Sequence, residues 1–206
     1  MKQLGLPKQN NYQTAYALAA DLLKRADLSR LETRCGVEVR KGKIIVPYFN
    51  QTYTIDVSDV SFEQELPLSE KILILHYLTT TGTYEEDKVY ISFKQLPGAS
   101  FYNPTYRKRG PNIILSIFGE RPDDILKATA VSCAREGNIG DVSVIFRAFP
   151  RIEVVVAMYR GDDEFPPECQ FLYSDAVINL LPLEDVAVLA GRVVKYLIKW
   201  VKEHNT

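Results

Sequence analysis

The segment KILILHYL, which begins at Lys71, has almost no polar face when its residues are placed on an α-helix. Ser69 is suited to cap the start of such a helix, and Gly82 lies just past its end. A helix that is apolar nearly all round is stable in water only when other elements cover it on most sides. The rest of the chain must therefore supply layers of helix and strand around a buried helix at residues 69–81.

The apolar pattern elsewhere mixes helices with antiparallel strands and shows no regular strand–helix alternation. Strands are predicted at residues 37–57 (a three-stranded meander), 89–93, 142–149, 152–159 and 171–174. Further helices are predicted at residues 11–26, 111–118, 122–137 and 183–203. The Gly- and Pro-containing segment 95–110 is predicted to be a loop. We therefore expect residues 1–206 to form a single α+β domain, with helices packed on a curved antiparallel sheet.

The charge balance argues against partners that recognise net charge. There are 25 Lys and Arg residues and 26 Asp and Glu residues, which gives a formal net charge of −1. Such a chain has no general attraction for nucleic acid or for an anionic membrane surface, and no apolar run approaches the roughly 20 residues that span a bilayer. The first residues also lack the apolar core of a secretory signal. We expect a soluble, cytoplasmic protein that binds neither nucleic acid nor membrane.

The three cysteines, Cys35, Cys133 and Cys169, form no CxxC pair. An odd number without paired spacing fits a reducing compartment and gives no ligand pattern for zinc or an iron–sulfur cluster. We expect all three to be small buried hydrophobic residues, and we predict no metal-binding residues.

The stretch MYRGDDEFPPEC at residues 158–169 is the first candidate site. A glycine, adjacent acids and two prolines are typical of a turn between strands. The alternative is a divalent-metal or acid–base site, since carboxylates supply the oxygen ligands that magnesium and calcium prefer. The acids are adjacent and not spaced as in a calcium-binding loop, so both interpretations stay open. The candidate acids are Asp162, Asp163, Glu164 and Glu168.

The segment FYNPTYRKRGPN at residues 101–112 is the second candidate site. Its three consecutive cations, residues 107–109, come directly before a helix predicted to start at Pro111. The positive amide end of that helix disfavours cations by roughly a few tenths of a kcal/mol. A phosphate or carboxylate bound there would remove the conflict, with tyrosines available for stacking; otherwise the cations simply extend into water. The candidate ligand-binding residues are Tyr102, Tyr106, Arg107 and Arg109.

His76, in the predicted buried helix, is the third candidate. On a nearly all-apolar helix, a histidine is usually a core residue with one hydrogen-bond partner, and the functional alternative is a ligand-binding or acid–base role. The chain has only two histidines, so a histidine-based zinc site would need ligands from distant segments. The sequence also has no GxSxG, GxGxxG or GxxxxGK motif.

Several segments together resemble an uncharacterised family of bacteria and archaea that is known only as a domain of unknown function. They are KILILHYLTTTG, ISFKQLPGASFY, GNIGDVSVIFRAFPRIEVVVAMYRGDDEFPPE and FLYSDAVINLLPLEDVAVLA. The resemblance implies a setting among anaerobes with corrinoid or one-carbon metabolism, where some members carry an added iron–sulfur module. This sequence lacks such a module, which argues against a redox role. The family assigns no active residues, but its Asp-Glu-Phe-Pro segment suggests that Phe165 and Pro166 fill the core while the acids face a pocket.

We therefore expect a non-catalytic binding or accessory module that recognises an anionic small molecule or a partner protein in anaerobic cofactor metabolism. One alternative is a metal-dependent enzyme that uses the acids of residues 162–168 with a distant group such as His76. Another is a structural or interaction protein whose interface is the aromatic segment 101–106. The sequence identifies no cofactor.

Overall fold

The computed structural model describes residues 9–83, 89–130 and 133–204. Within these ranges the chain has seven α-helices and nine strands, and the predicted α+β class is confirmed. The helices are α1 (Gln9–Lys24), α2 (Leu31–Cys35), α3 (Leu68–Thr79), α4 (Asn103–Arg109), α5 (Pro111–Phe118), α6 (Val177–Leu180) and α7 (Leu183–His204). The strands are β1 (Glu38–Arg40), β2 (Lys43–Tyr48), β3 (Gln51–Asp56), β4 (Ser61–Phe62), β5 (Tyr90–Ser92), β6 (Ala134–Glu136), β7 (Val142–Phe149), β8 (Ile152–Tyr159) and β9 (Glu168–Ser174).

The strands divide between two antiparallel sheets. The first has the order β1-β2-β3-β4, which extends the predicted meander by one short strand, and the second has the order β5-β9-β8-β7-β6. The register of β7 shifts between Arg147 and Phe149, near its end. There the Phe49 N–H, in the turn after β2, donates to the Ala148 carbonyl oxygen at 2.9 Å. This hydrogen bond joins the first sheet to the second.

The core contains an aromatic cluster contributed by both sheets and by α3. Tyr77 of α3 stacks on Phe149 of β7 with ring centroids 4.2 Å apart, and Tyr48 of β2 lies 4.9 Å from the same ring. All three residues are buried. Seven residues of α3 are buried, which confirms the predicted buried helix at the centre of the fold.

Most helices begin and end close to the predicted positions, but two segments differ. The predicted loop 95–110 contains two short 3₁₀ turns and helix α4. The predicted helix from Pro122 is a 3₁₀ helix that ends at Ala130, and residues 134–136 form strand β6 on the edge of β7. Pairing with that open edge overrides the helical spacing of the local sequence.

The cysteine prediction is confirmed, because Cys35, Cys133 and Cys169 are free and buried. Among the described residues, no helix combines the length and the apolar character needed to cross a membrane.

Candidate functional site

Helix α4 carries the basic and aromatic candidates of the segment 101–109. It begins after Tyr102, has Pro104 in its first turn, and ends where the Gly110 N–H donates to the Tyr106 carbonyl oxygen. Proline is tolerated in the first turn because the N–H that it lacks would have no partner within the helix. The loop prediction is wrong here, since the proline that indicates a loop in fact begins a helix.

Tyr106 anchors α4 to the rest of the protein. Its ring stacks on Phe93 with centroids 3.8 Å apart, and its hydroxyl lies 2.6 Å from the hydroxyl of Tyr173. Tyr106 is buried, and this burial raises the pKa of its hydroxyl well above the ordinary value. The hydroxyl therefore stays neutral and hydrogen-bonded inside the protein. Of the two tyrosines predicted to stack on a ligand, only Tyr102 is exposed.

Four of the exposed residues of this segment are aromatic or basic, and we call them the α4 surface: Phe101 and Tyr102, directly before α4, and Lys108 and Arg109, in its last turn. Phe101 is 93% exposed and Tyr102 is 52% exposed. Lys108 and Arg109 are also exposed and make no ion pair with any residue that the structure describes. Each cation follows an aromatic residue by seven positions, which corresponds to two turns, or roughly 10 Å, of an ideal helix.

The cations at residues 107–109 form the last turn of α4. The negative, carboxyl end of a helix macrodipole stabilises cations. Helix α5 does begin at Pro111, as predicted, but the cations belong to the favourable end of the preceding helix. The favourable end of α4 therefore offsets the predicted electrostatic conflict, which by itself gives no reason to expect a bound anion. Any such reason must come from Lys108 and Arg109, which make no ion pair within the described residues.

Arg107 brings one basic candidate and one acidic candidate together. Its guanidinium Nη1 donates to Glu168 Oε1 at 3.1 Å, which links α4 to the first residue of β9. The adjacent Cys169 is buried, and this burial raises the pKa of its thiol to about 12. A thiol that stays protonated is a poor nucleophile. This junction therefore fixes α4 against the sheet and does not provide a reactive cysteine.

The three consecutive acids lie in the connection between β8 and β9, residues 160–167. The Asp162 carboxylate accepts hydrogen bonds from the backbone N–H groups of Phe165 and Glu164, at 2.7 and 2.9 Å. These two bonds lower the pKa of Asp162, and the bond from Phe165 has the larger effect. The Asp162 N–H also donates to the Phe165 carbonyl oxygen. The connection is thus a turn closed by its own aspartate, and the side chains of Asp163 and Glu164 stay exposed.

Phe165 does not fill the core. It is 67% exposed, so the expectation that it packs inward while the acids face a pocket is wrong. The reason is local, because the hydrogen bonds of Asp162 close the turn without any need for apolar contacts. The result is an aromatic ring in solvent directly after three acids.

The acidic segment does not combine with His76 into a catalytic or metal site. No hydrogen bond or ion pair joins them within the described residues, and no group of three or more His, Cys, Asp or Glu side chains in those ranges could hold a metal ion. His76 instead places Nδ1 2.6 Å from Oδ2 of Asp185, in the first turn of α7. Asp185 is buried and His76 is half-buried. Their hydrogen bond raises the pKa of His76, although burial opposes the shift.

Sequence reasoning missed Asp185. An acid in the first turn of a helix is ordinary, because it complements the macrodipole. The available signal was its position one turn before Leu189 and two turns before Val193, on the apolar stripe that faces the core. A carboxylate on such a stripe needs a partner, and the histidine on a nearly all-apolar helix needs one too.

An open concavity of about 480 Å³ is lined by residues 119–124, Arg160 and Gly161, so it lies next to the acidic connection but includes none of the candidate residues. Arg160 donates through Nη2 to both carboxylate oxygens of Asp123, each at 2.7 Å. Asp124 is also paired, with Lys127 at 2.7 Å and Arg121 at 3.4 Å. The charged groups of this concavity therefore largely neutralise one another, and none of the residues 101–109 lines it.

A comparison with protein-family models matches residues 27–196 to a family described as Domain of unknown function (DUF3786). The chain belongs to this family. The resemblance based on short motifs is thereby confirmed, whereas the iron–sulfur module of relatives and the anaerobic setting stay predictions. Every candidate residue, from His76 to Asp185, lies inside the matched part of this DUF3786 chain, and helix α1 lies before it. Searches of curated proteins and of solved structures found no match.

Proposed function

We propose that this DUF3786 chain is a non-catalytic binding module that recognises an anionic segment of a partner protein through the α4 surface. The proposal depends on one observation. Phe101 and Tyr102 are exposed just before α4, and Lys108 and Arg109 in its last turn make no ion pair with any described residue. Tyr106, between these two pairs, is fixed in the core. Aromatic residues and arginine are the residue types most enriched at protein interfaces and in their energetically dominant positions.

The rigidity of α4 favours binding. The stack of Tyr106 on Phe93, its contact with Tyr173 and the Arg107–Glu168 ion pair hold the helix from its buried side. A surface that is already ordered loses little conformational entropy when a partner docks on it. The exposed aromatic rings would lose contact with water, and the cations would gain carboxylate partners.

The shape of the region favours a protein segment over a small anion. Small-molecule sites are concave and enclose most of the ligand. Neither of the two best-formed concavities in the described part of the chain is lined by residues 101–109. A segment of another protein can instead lie along an exposed helix and place carboxylates at the cationic end and an apolar side chain at the aromatic end. The setting in anaerobic cofactor metabolism, implied by the family resemblance, is a further prediction about the partner.

Fluorescence anisotropy with a labelled peptide that contains Asp, Glu and Phe tests this function, with the corresponding Asn, Gln and Phe peptide as the reference ligand. We expect the acidic peptide to bind and the double variant Lys108→Glu with Arg109→Glu to weaken that binding by roughly tenfold or more, since reversed charges repel the ligand. The control is Lys199→Glu with Lys202→Glu, which makes the same charge change on helix α7, where it also removes the Lys199–Glu203 ion pair.

Equal loss in both double variants would show attraction to net charge alone and would contradict the proposal, as would failure of the acidic peptide to bind. A panel of phosphorylated and carboxylated metabolites, followed by thermal shift, tests the small-molecule alternative. A shift in the wild type that disappears in Arg109→Glu, without peptide binding, would favour that alternative over the proposed one.

A further inference from the structure

The connection between β8 and β9 presents acids next to an exposed aromatic ring. Asp163 and Glu164 are exposed, and Phe165 is 67% exposed. We call these three residues the acidic tip. The backbone hydrogen bonds of Asp162 hold the tip in a defined turn, so it is an ordered projection that combines carboxylates with a ring.

The acidic tip lies close to the α4 surface in the same chain. The ion pair between Arg107 and Glu168 joins the cationic end of α4 to the start of β9. The tip ends three residues before Glu168, a separation of at most roughly 10 Å along the chain. The two features therefore share one region of the protein surface.

The charged residues of the α4 surface and of the acidic tip do not pair with each other within the described part of one chain. In the ranges that the structure describes, Lys108, Arg109, Asp163 and Glu164 form no ion pair. The region thus has an aromatic and basic half next to an acidic and aromatic half, and both halves are open to solvent.

Such a region is complementary to itself under a two-fold rotation. In a symmetric dimer the same surface of each copy meets the other, so each contact is made twice. If the axis passes between the two halves, the cations of one copy face the carboxylates of the other, and the rings at the two ends meet as well. Opposite charges that meet across an interface guide association and fix its register.

We propose that the anionic partner segment is the acidic tip of a second copy of this chain, docked reciprocally on the α4 surface. This inference rests on the proposed function, because it names the partner of the same surface. The contact involves few residues on each copy, so the dimer is weak and depends on concentration and salt.

Analytical ultracentrifugation of the full chain over a range of concentrations tests the proposal with two charge-reversed variants. One is Lys108→Glu with Arg109→Glu, and the other is Asp163→Lys with Glu164→Lys. We expect the wild type to dimerise at low salt and each variant alone to lose dimerisation by roughly tenfold or more, because every contact then places like charges together. An equal mixture of the two variants should regain the dimer, since each reversed half then faces an oppositely charged half.

Regain of the dimer in the mixture is the decisive result, because a general loss of folding or solubility cannot produce it. The control variant Lys199→Glu with Lys202→Glu should dimerise as the wild type does. A monomeric wild type at all concentrations, variants that still dimerise, or a mixture that stays monomeric would each overturn the proposal.

The experiment also separates this inference from the proposed function. If the wild type is monomeric but the acidic peptide still binds in an Arg109-dependent way, the function holds and the identity of the partner is wrong. If the mixture regains a dimer while no acidic peptide binds, the second copy is the partner, and recognition of other anionic segments is wrong.

Discussion

Helices α3 and α4 both carry aromatic and charged residues close together, but only the α4 surface leaves both types in solvent. On α3, Tyr77 is fully buried, stacks on Phe149, and donates its hydroxyl hydrogen to the Cys35 carbonyl oxygen. On the α4 surface, the ring of Phe101 is almost fully exposed. Aromatic residues thus serve packing in α3, as Tyr106 does in α4, whereas Phe101 just before α4 faces solvent.

The charges differ in the same way. At the start of α3, the buried Glu70 carboxylate lies 3.6 Å from Arg192 and 3.9 Å from Lys195, both on α7. Toward the end of α3, His76 pairs with Asp185, also on α7. These pairs join two helices that run in opposite directions. Lys108 and Arg109 of α4 have no such partners among the described residues. Charged residues that pair with a neighbouring helix fix the fold, whereas charged residues left in solvent are available for recognition.

The largest effect that we predict is the difference in stability between the alanine variants of Tyr77 and Phe101. Tyr77→Ala should destabilise the protein by about 3–5 kcal/mol, because it leaves a cavity beside Phe149 and removes the donor to the Cys35 carbonyl. Phe101→Ala should change the free energy of unfolding by less than about 0.5 kcal/mol. Denaturant unfolding of both variants measures the contrast. The conservative Tyr77→Phe keeps the ring and removes only the hydroxyl, so it should lower the free energy of unfolding by roughly 1 kcal/mol.

If Tyr77→Ala and Phe101→Ala lose similar amounts of free energy of unfolding, the two rings do not differ in their contribution to packing. A large cost for Phe101→Ala alone would mean that its ring supports the fold, and the α4 surface would then lose its main argument for a binding role.

The next effect is a pH dependence of stability that arises from the His76–Asp185 pair between α3 and α7. Asp185 raises the pKa of His76 above its ordinary value of 6.5 in the folded protein. The folded state therefore holds the proton more tightly than the unfolded state does. The contribution to stability is complete below the unfolded-state pKa of 6.5 and is lost as the pH rises through the folded-state pKa. We expect the free energy of unfolding of the wild type to exceed that of His76→Gln by about 1–2 kcal/mol at the lower pH. The difference should be smaller at alkaline pH.

Denaturant unfolding at a series of pH values measures this difference, and Asp185→Asn should remove most of its pH dependence. If the difference in free energy of unfolding between wild type and His76→Gln stays constant or grows as the pH is raised, Asp185 does not hold His76 protonated.

The sequence predicted those parts of the fold that local patterns determine. The buried helix at residues 69–81 follows from its lack of a polar face, and helix α5 follows from a proline in its first turn. The long amphipathic α7 follows from a stripe of apolar residues. Each of these signals lies within a few turns of the chain, so no knowledge of distant contacts was needed.

The parts that the sequence did not predict depend on distant partners. Strand β6 forms because β7 offers an open edge, and the direction of Phe165 depends on how Asp162 closes its turn. The basic segment was predicted to be a loop, so the helix that carries its cations was not predicted. For that reason the sequence could not separate the buried Tyr106 and the paired Arg107 from the exposed cations.

The smallest predicted effect divides the three cations of α4 by their roles. Arg107→Ala removes the ion pair with Glu168, and both side chains are partly exposed, so we expect a loss of only about 0.2–1 kcal/mol that shrinks at high salt. Arg109→Ala should not change stability measurably, although it should weaken binding of the acidic peptide. A double-mutant cycle with Glu168→Ala measures the coupling to each arginine. If Arg109 couples to Glu168 as strongly as Arg107 does, Arg109 also helps to hold α4 on the sheet, and Lys108 would be left as the single unpaired cation available to a partner.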